Sequence, residues 1–287
     1  MLNFYTVIIL ETIFLMIILG IMANTNDLLS EQKRKMFFVL FSIVIFAIIA
    51  EWSGSMTASF GERFRQFHIW TKVVELSLTP VVPFLCAEIL NQSARFSRKT
   101  RWFHYILILH TGLEILSAFG KFIFYVDNSG VFHHGPFYWI YLVTYLGGAV
   151  YVLWSGHHVS RQYQNRNRVL LILMLAYLMF GIAANQLDKS IKSAWLTVAI
   201  VVTLIYIFYN DMIQRIDEMT MLLNRTSYDN RLPRLHDPVI IQLFDVDFFK
   251  SVNDEYGHLY GDHCLQTIGR IIRSTYEKSG RCYRIGG

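Results

Sequence analysis

Seven apolar runs follow one another through the first 210 residues, at about 3–22, 36–54, 67–90, 102–120, 137–157, 168–187 and 193–210. At a rise of ~1.5 Å per residue, runs of this length suit the ~30 Å hydrocarbon core of a bilayer. In hydrocarbon every backbone N–H and C=O must find its partner inside the segment, so such runs are expected as helices. Composition points the same way. The 287-residue chain is 54% hydrophobic and only 16% charged, where soluble domains carry ~25% charged residues. The first run, from Tyr5 to Met22, has no basic stretch ahead of it and reads as a span rather than a cleaved leader. The third contains Pro80 and Pro83, which predict a kink.

Loop charge gives an orientation. The first, third and fifth loops carry ten basic residues: Lys33, Arg34, Lys35, Arg95, Arg98, Lys99, Arg101, Arg161, Arg166 and Arg168. The second, fourth and sixth carry five: Arg63, Arg65, Lys121, Lys189 and Lys192. The odd loops are therefore expected inside, with the N-terminus outside and the C-terminal residues inside. The formal net charge of +5 is explained by these membrane borders and calls for no nucleic acid polymer as partner. Cys86, Cys264 and Cys282 show no ligand spacing and no disulfide framework, and read as buried or inert thiols.

Ionisable residues within membrane helices are costly and face a partner or a cavity. Glu11, Glu51, Lys72, Glu75 and Glu114, with polar Asn185, all fall in the outer half under this orientation. Lys72 and Glu75 are three apart and share a helix face. Two readings stand: interhelical ion pairs that hold the bundle, or a sensory pocket open to the outside for a small ligand or proton. Beyond the seventh run, Ile205, Tyr209, Met212, Ile216 and Met219 step by four, three, four and three. That spacing predicts a stiff helix with a heptad seam, running from the membrane into the following residues and pairing in a dimer or packing on its own domain.

The C-terminal part is polar. Pro238 to Leu243 reads as a buried strand, with Asp245 where it ends, and Phe248, Val252 and Tyr256 recur as one face of a helix. A strand-end carboxylate is a hard oxygen ligand for Mg²⁺. The first N–H groups of the helix, near Phe248 and Phe249, can donate to phosphate oxygens beside Lys250. Asn253 and Asp262 can read a base, since a carboxylate accepts both N–H groups on the Watson–Crick edge of guanine. On spacing alone, a βα unit with surface acids fits equally well.

The run Asp245-Val246-Asp247-Phe248-Phe249-Lys250 continues through Asn253, Asp254, Gly257, His258 and Gly261 to Asp262, and resembles the core signature of the GGDEF domain, the diguanylate cyclase domain of bacteria. Asp217 to Arg225 is similar to the family's lead-in motif, with Met219 for Leu and Met221 for Gly, and Arg284-Ile285-Gly286-Gly287 to its Arg-x-Gly-Gly. Taken with the apolar runs and the heptad spacing, the resemblance gives the expected fold: a multi-pass α-helical membrane domain (seven helices, 1–210), a signalling helix and lead-in (211–222), and the first half of an α/β palm-like domain (223–287). It implies a helix near 225–232, a strand at 238–245, helices near 248–256 and 262–277, and a strand at 281–285. A seven-helix region in front resembles, in layout, bacterial sensory membrane domains. The expected location is the bacterial inner membrane, in contact with lipid, with an unknown external signal.

The family joins two GTP into cyclic di-GMP across a homodimer with Mg²⁺ or Mn²⁺. By resemblance Asp245 and the Val246 carbonyl are metal ligands, with Asp245 catalytic. Phe248, Phe249 and Lys250 contact the triphosphate, and Asn253 and Asp262 read guanine. Asp247, Asp254 and His258 are expected to be structural. The chain reaches the Gly-Gly of the signature at Gly287, without the acidic residues that follow it in the family. The expectation is a truncated and inactive piece of an enzyme, the alternative a receptor with a degenerate GGDEF-like domain that binds GTP or a partner. Glu277 to Gly280 stand where many relatives carry an inhibitory Arg-x-x-Asp, so feedback through that site is expected to be absent.

Overall fold

The computed structural model describes residues 4–91, 101–162, 168–187 and 193–286. They fall into two compact units, one of residues 1–159 with 167–207, the other of residues 160–166 with 208–287. Their secondary structure is mostly helical.

In the first unit, α1 (Phe4–Asn24) and α2 (Glu31–Thr57) lead through a 3-10 segment, Ala58–Phe64, into α3 (Arg65–Leu78), α4 (Val81–Leu90) and α5 (Arg101–Gly120). Two short strands, β1 (Phe124–Val126) and β2 (Phe132–His134), pair antiparallel before α6 (Tyr138–Gln162), α7 (Arg168–Leu187) and α8 (Ala194–Ile213). Among the described residues, six helical stretches are long and apolar enough to cross a membrane, counting α3 and α4 as one. The run 168–187 is helical, with an apolar stretch of Val169–Gly181 among the described residues, so the expected count of seven is not confirmed. Pro80 breaks the third span between α3 and α4, whereas Pro83 sits in the first turn of α4, where a missing N–H costs nothing.

The helices pack by close approach and aromatic contact. Gly54 of α2 lies against Thr71 and His68 of α3, and Gly181 of α7 against Thr197 of α8; small residues let membrane helices come this near. Phe37 meets Tyr206 edge-on at 5.1 Å. Lys33 caps α4 by donating to the carbonyls of Glu88, Ile89 and Asn91, which satisfies groups a helix end leaves unpaired. Phe4, Phe14, Val150, Ile172 and Phe180 stay exposed, a surface that fits lipid better than water.

The β hairpin was not foreseen. It is fastened to the helices below it. Ser117 Oγ accepts from the backbone N–H groups of Ile123 and Phe124 and donates to the Phe124 carbonyl. Arg65 Nε donates to Val126 O at 2.9 Å, and His68 Nδ1 lies 3.0 Å from Gly130 O. Asp127 organises the turn. The Ser129 hydroxyl, His133 and the Val131 N–H hold its carboxyl well below the usual carboxylate range.

In the second unit, α9 (Arg225–Arg231), α10 (Phe249–Tyr256) and α11 (His258–Tyr276) match the expected helices to within a few residues. The expected strand at 238–245 does not form: residues 238–246 are irregular and Ile240 is 98% exposed. A strand exists by pairing. The other extended segment of this unit, Arg281–Ile285, spends its backbone on Leu223 and forms a single bridge there rather than a strand. The palm-like sheet is accordingly absent among the described residues. The continuous signalling helix is corrected as well. The helix ends at Ile213, and Ile216 and Met219 lie in the turns beyond it. Asn224 and Ser227 capture the carbonyls of Gln214 and Arg215, which favours a chain reversal over continuation. Ile205, Tyr209 and Met212 are buried in the single chain.

Candidate functional site

Two of the three motifs of the C-terminal part, the lead-in and the Arg-x-Gly segment, are bonded to each other. Asp217 Oδ1 accepts from the Thr220 N–H and hydroxyl and from Arg284 Nη1 at 3.1 Å. The Leu223 N–H donates to Cys282 O, and the Arg284 N–H to Leu223 O. The lead-in motif is therefore clamped to the Arg-x-Gly segment across 67 residues. Burial raises the Asp217 pKa, but the Thr220 bonds and the Arg284 guanidinium outweigh it and hold the carboxyl below its ordinary value. Met221, where the family carries Gly, has φ +58, a left-handed conformation that costs a side-chain-bearing residue about 1–2 kcal/mol. Sequence reading assigned no role to Asp217, Thr220 or Arg284; the motif resemblance itself was the signal that they act together.

The signature stretch forms a turn and two helices. Asp245 is exposed and Val246 half-buried just ahead of the turn. Phe248 is the N-cap of α10 with φ +52, so the first-turn N–H groups near Phe249 and Lys250 have no side-chain cap. Lys250 is exposed and Asn253 half-buried. Gly257, at φ +84, makes the reversal into α11. A methyl group at Gly261 would collide with the Asn253 carboxamide, which places Asn253 against the start of α11, one residue from Asp262. Asn253 thus packs against Gly261 at the start of α11, next in sequence to Asp262, and Asp245 with Val246 precedes the turn into α10. One carboxylate and one carbonyl suit a divalent cation that draws its remaining ligands from phosphates and water.

The six residues expected to form a sensory pocket are only partly gathered. Lys72 and Glu75 pair at 2.6 Å, each 14% exposed, and Glu51 is a second electrostatic neighbour of Lys72. Glu114 is fully buried in α5, with His110 Nε2 3.4 Å from it, and Glu75 is within its electrostatic reach. Neither Glu114 oxygen has a hydrogen-bond partner among the described residues. Glu11 stands exposed on α1 and is not drawn in. The side chain of Asn185 lies outside the described residues. His110 and Tyr138 join this cluster without having been expected: His110 bonds the Leu76 carbonyl, and Tyr138 lies in reach of Glu75 and Glu114. Single apolar-face residues of this kind carry no sequence signal; packing alone reveals them.

The model of the diguanylate cyclase GGDEF domain matches residues 214–287. The chain is 33% identical over 109 residues to the probable diguanylate cyclase DgcI of Escherichia coli, covering 37% of this chain and 24% of that protein. It is 38% identical over 78 residues to the diguanylate cyclase DgcS of Shewanella oneidensis, 25% of this chain and 26% of that one. With the probable diguanylate cyclase DgcT of Escherichia coli it shares 25% identity over 163 residues, 53% of this chain and 35% of that one. The chain thus spans about a quarter to a third of the length of these relatives. No solved structure matches it significantly. Residues 214–287 belong to the GGDEF domain family, and these relatives are diguanylate cyclases or probable diguanylate cyclases.

Proposed function

We propose that this protein is a membrane-bound, signal-regulated diguanylate cyclase that makes cyclic di-GMP from two GTP. The observation that carries the reading is the bonding of the lead-in motif to the Arg-x-Gly segment, with Asp217 locked to Arg284, together with a signature stretch in which Asp245 precedes the uncapped start of α10. Lys250 and the first-turn N–H groups of α10 would hold the triphosphate, since a helix start favours anions. Asn253 and Asp262 would read guanine, where a charged acceptor contributes about 1.5–3 kcal/mol. Asp245 and the Val246 carbonyl would hold Mg²⁺ or Mn²⁺, which supplies charge neutralisation at the phosphates when bound. Two such domains facing each other as a homodimer let each 3′-OH attack the partner's α-phosphate, and pyrophosphate leaves.

The regulated part is the helical unit. Seven membrane passes, with α7 as the sixth, keep the N-terminus outside and the GGDEF domain with cytoplasmic GTP, as the loop charges require. The cluster around Glu51, Lys72, Glu75 and Glu114 is the proposed input core; Glu11 and Asn185 belong to it only if the signal draws them in.

The test is production of cyclic di-GMP in cells that express the full gene product, read by mass spectrometry. Wild type should raise the product and Asp245→Ala should abolish it. Asp262→Ala should weaken GTP binding about tenfold or more. Robust GTP binding with no product would favour the non-catalytic receptor. Normal turnover by Asp245→Ala would remove the metal-ligand assignment.

A further inference from the structure

Beneath the hairpin, between the start of α3, the end of α5 and β1, lies a cavity of about 270 Å³. A single water needs only about 10–15 Å³ by this measure, so the space suits a small organic molecule. Two cations line it, Arg65 and Lys121, with Gln66 beside them. No carboxylate lies within ion-pair distance of either cation among the described residues. The rest of the wall includes the rings of Phe119, Phe124 and Tyr125, with Ser117 as a further polar side chain. Two like charges around one cavity repel, and an anion between them would remove that cost.

The cavity is preformed. Its roof is fixed by the Arg65 bond to Val126 O and by the three bonds of Ser117 to the hairpin backbone. Arg65 gives only Nε to that bond, and its Nη groups make no other hydrogen bond among the described residues. Lys121 follows α5 in a left-handed conformation, φ +59, a position where glycine costs far less. Its ammonium stands 5.7 Å from the Tyr125 ring centroid, held toward the aromatic wall.

We propose that this cavity is a binding site for a small organic anion with one apolar face, its carboxylate held by Arg65 and Lys121 and its apolar face laid on the aromatic wall. The claim concerns binding and does not rest on the cyclase reading.

The experiment uses the full chain in phosphatidylcholine nanodiscs, titrated with benzoate by calorimetry. Benzamide, the uncharged isostere, should bind at least about tenfold more weakly, because it lacks the charge that the two cations recognise. Lys121→Gln should lower benzoate affinity about tenfold, and because the side chain is exposed the fold is not at stake. Arg65→Lys should do the same while keeping a charge near the hairpin, because the planar fork is lost. Benzoate affinity should be equal in phosphatidylglycerol nanodiscs. Absent binding, equal binding of benzamide, or indifference to Lys121→Gln would overturn the proposal. So would loss of benzoate binding in phosphatidylglycerol, which would assign the cavity to lipid headgroups.

Discussion

Residues 4–207 and residues 208–286 differ in how their backbone is satisfied. In the helical unit each predicted apolar run became helix within a few residues, because a helix closes its hydrogen bonds within itself. In the second unit the three predicted helices formed and the predicted strand at 238–245 did not. The apolar run Val239-Ile240-Ile241 has the right composition for a buried strand, yet composition supplies no partner. Arg281–Ile285, the other extended segment, is bound to Leu223 instead. Local pattern therefore decides helices, while strands wait on distant residues.

Hydrogen exchange tests that contrast most sharply. Mid-helix amides of α11 should exchange at least about a hundredfold more slowly than those of residues 239–246, because only the former are in a cooperative bonded unit. Comparable protection in the two would break the comparison.

Next in size is the buried pair of the helical unit. Lys72→Met leaves Glu75 and Glu51 without their cation and should destabilise the unit by about 3–5 kcal/mol, measured by unfolding in mixed micelles. Lys72→Met with Glu75→Gln should recover much of that loss. Equal losses in the single and double variants would show that the pair is not coupled.

The clamp of the second unit comes third. Asp217→Ala removes the carboxylate that accepts from Thr220 and from Arg284 Nη1 and should cost about 2–3 kcal/mol, read from the urea midpoint. Because the folded pKa of Asp217 is depressed, its contribution is present above the unfolded value near 4 and is lost as pH falls through the folded value. Wild type should thus lose stability below about pH 4 more steeply than Asp217→Asn. Parallel pH profiles would contradict the clamp.

The smallest effect is at Met221. Glycine relieves the left-handed strain but adds freedom to the unfolded chain, so Met221→Gly should stabilise by up to about 1 kcal/mol. A clear destabilisation would show that the Met221 side chain contributes packing that outweighs its backbone strain.

The sequence alone determined the apolar helices, the family of residues 214–287 and the helices around the signature. Those rest on periodicity, on the spacing of charged residues, and on motifs local in the chain. Tertiary structure decided the rest. It ended the last apolar helix at Ile213, since Asn224 and Ser227 take the carbonyls just beyond it. It drew His110 and Tyr138 to Glu114 and left Glu11 outside. It also built the hairpin on Ser117 and Arg65, with the cationic cavity below. Each of these depends on which side chains meet across tens of residues. Hydrogen bonding and burial settle that only once the chain has folded, and local periodicity carries no record of it.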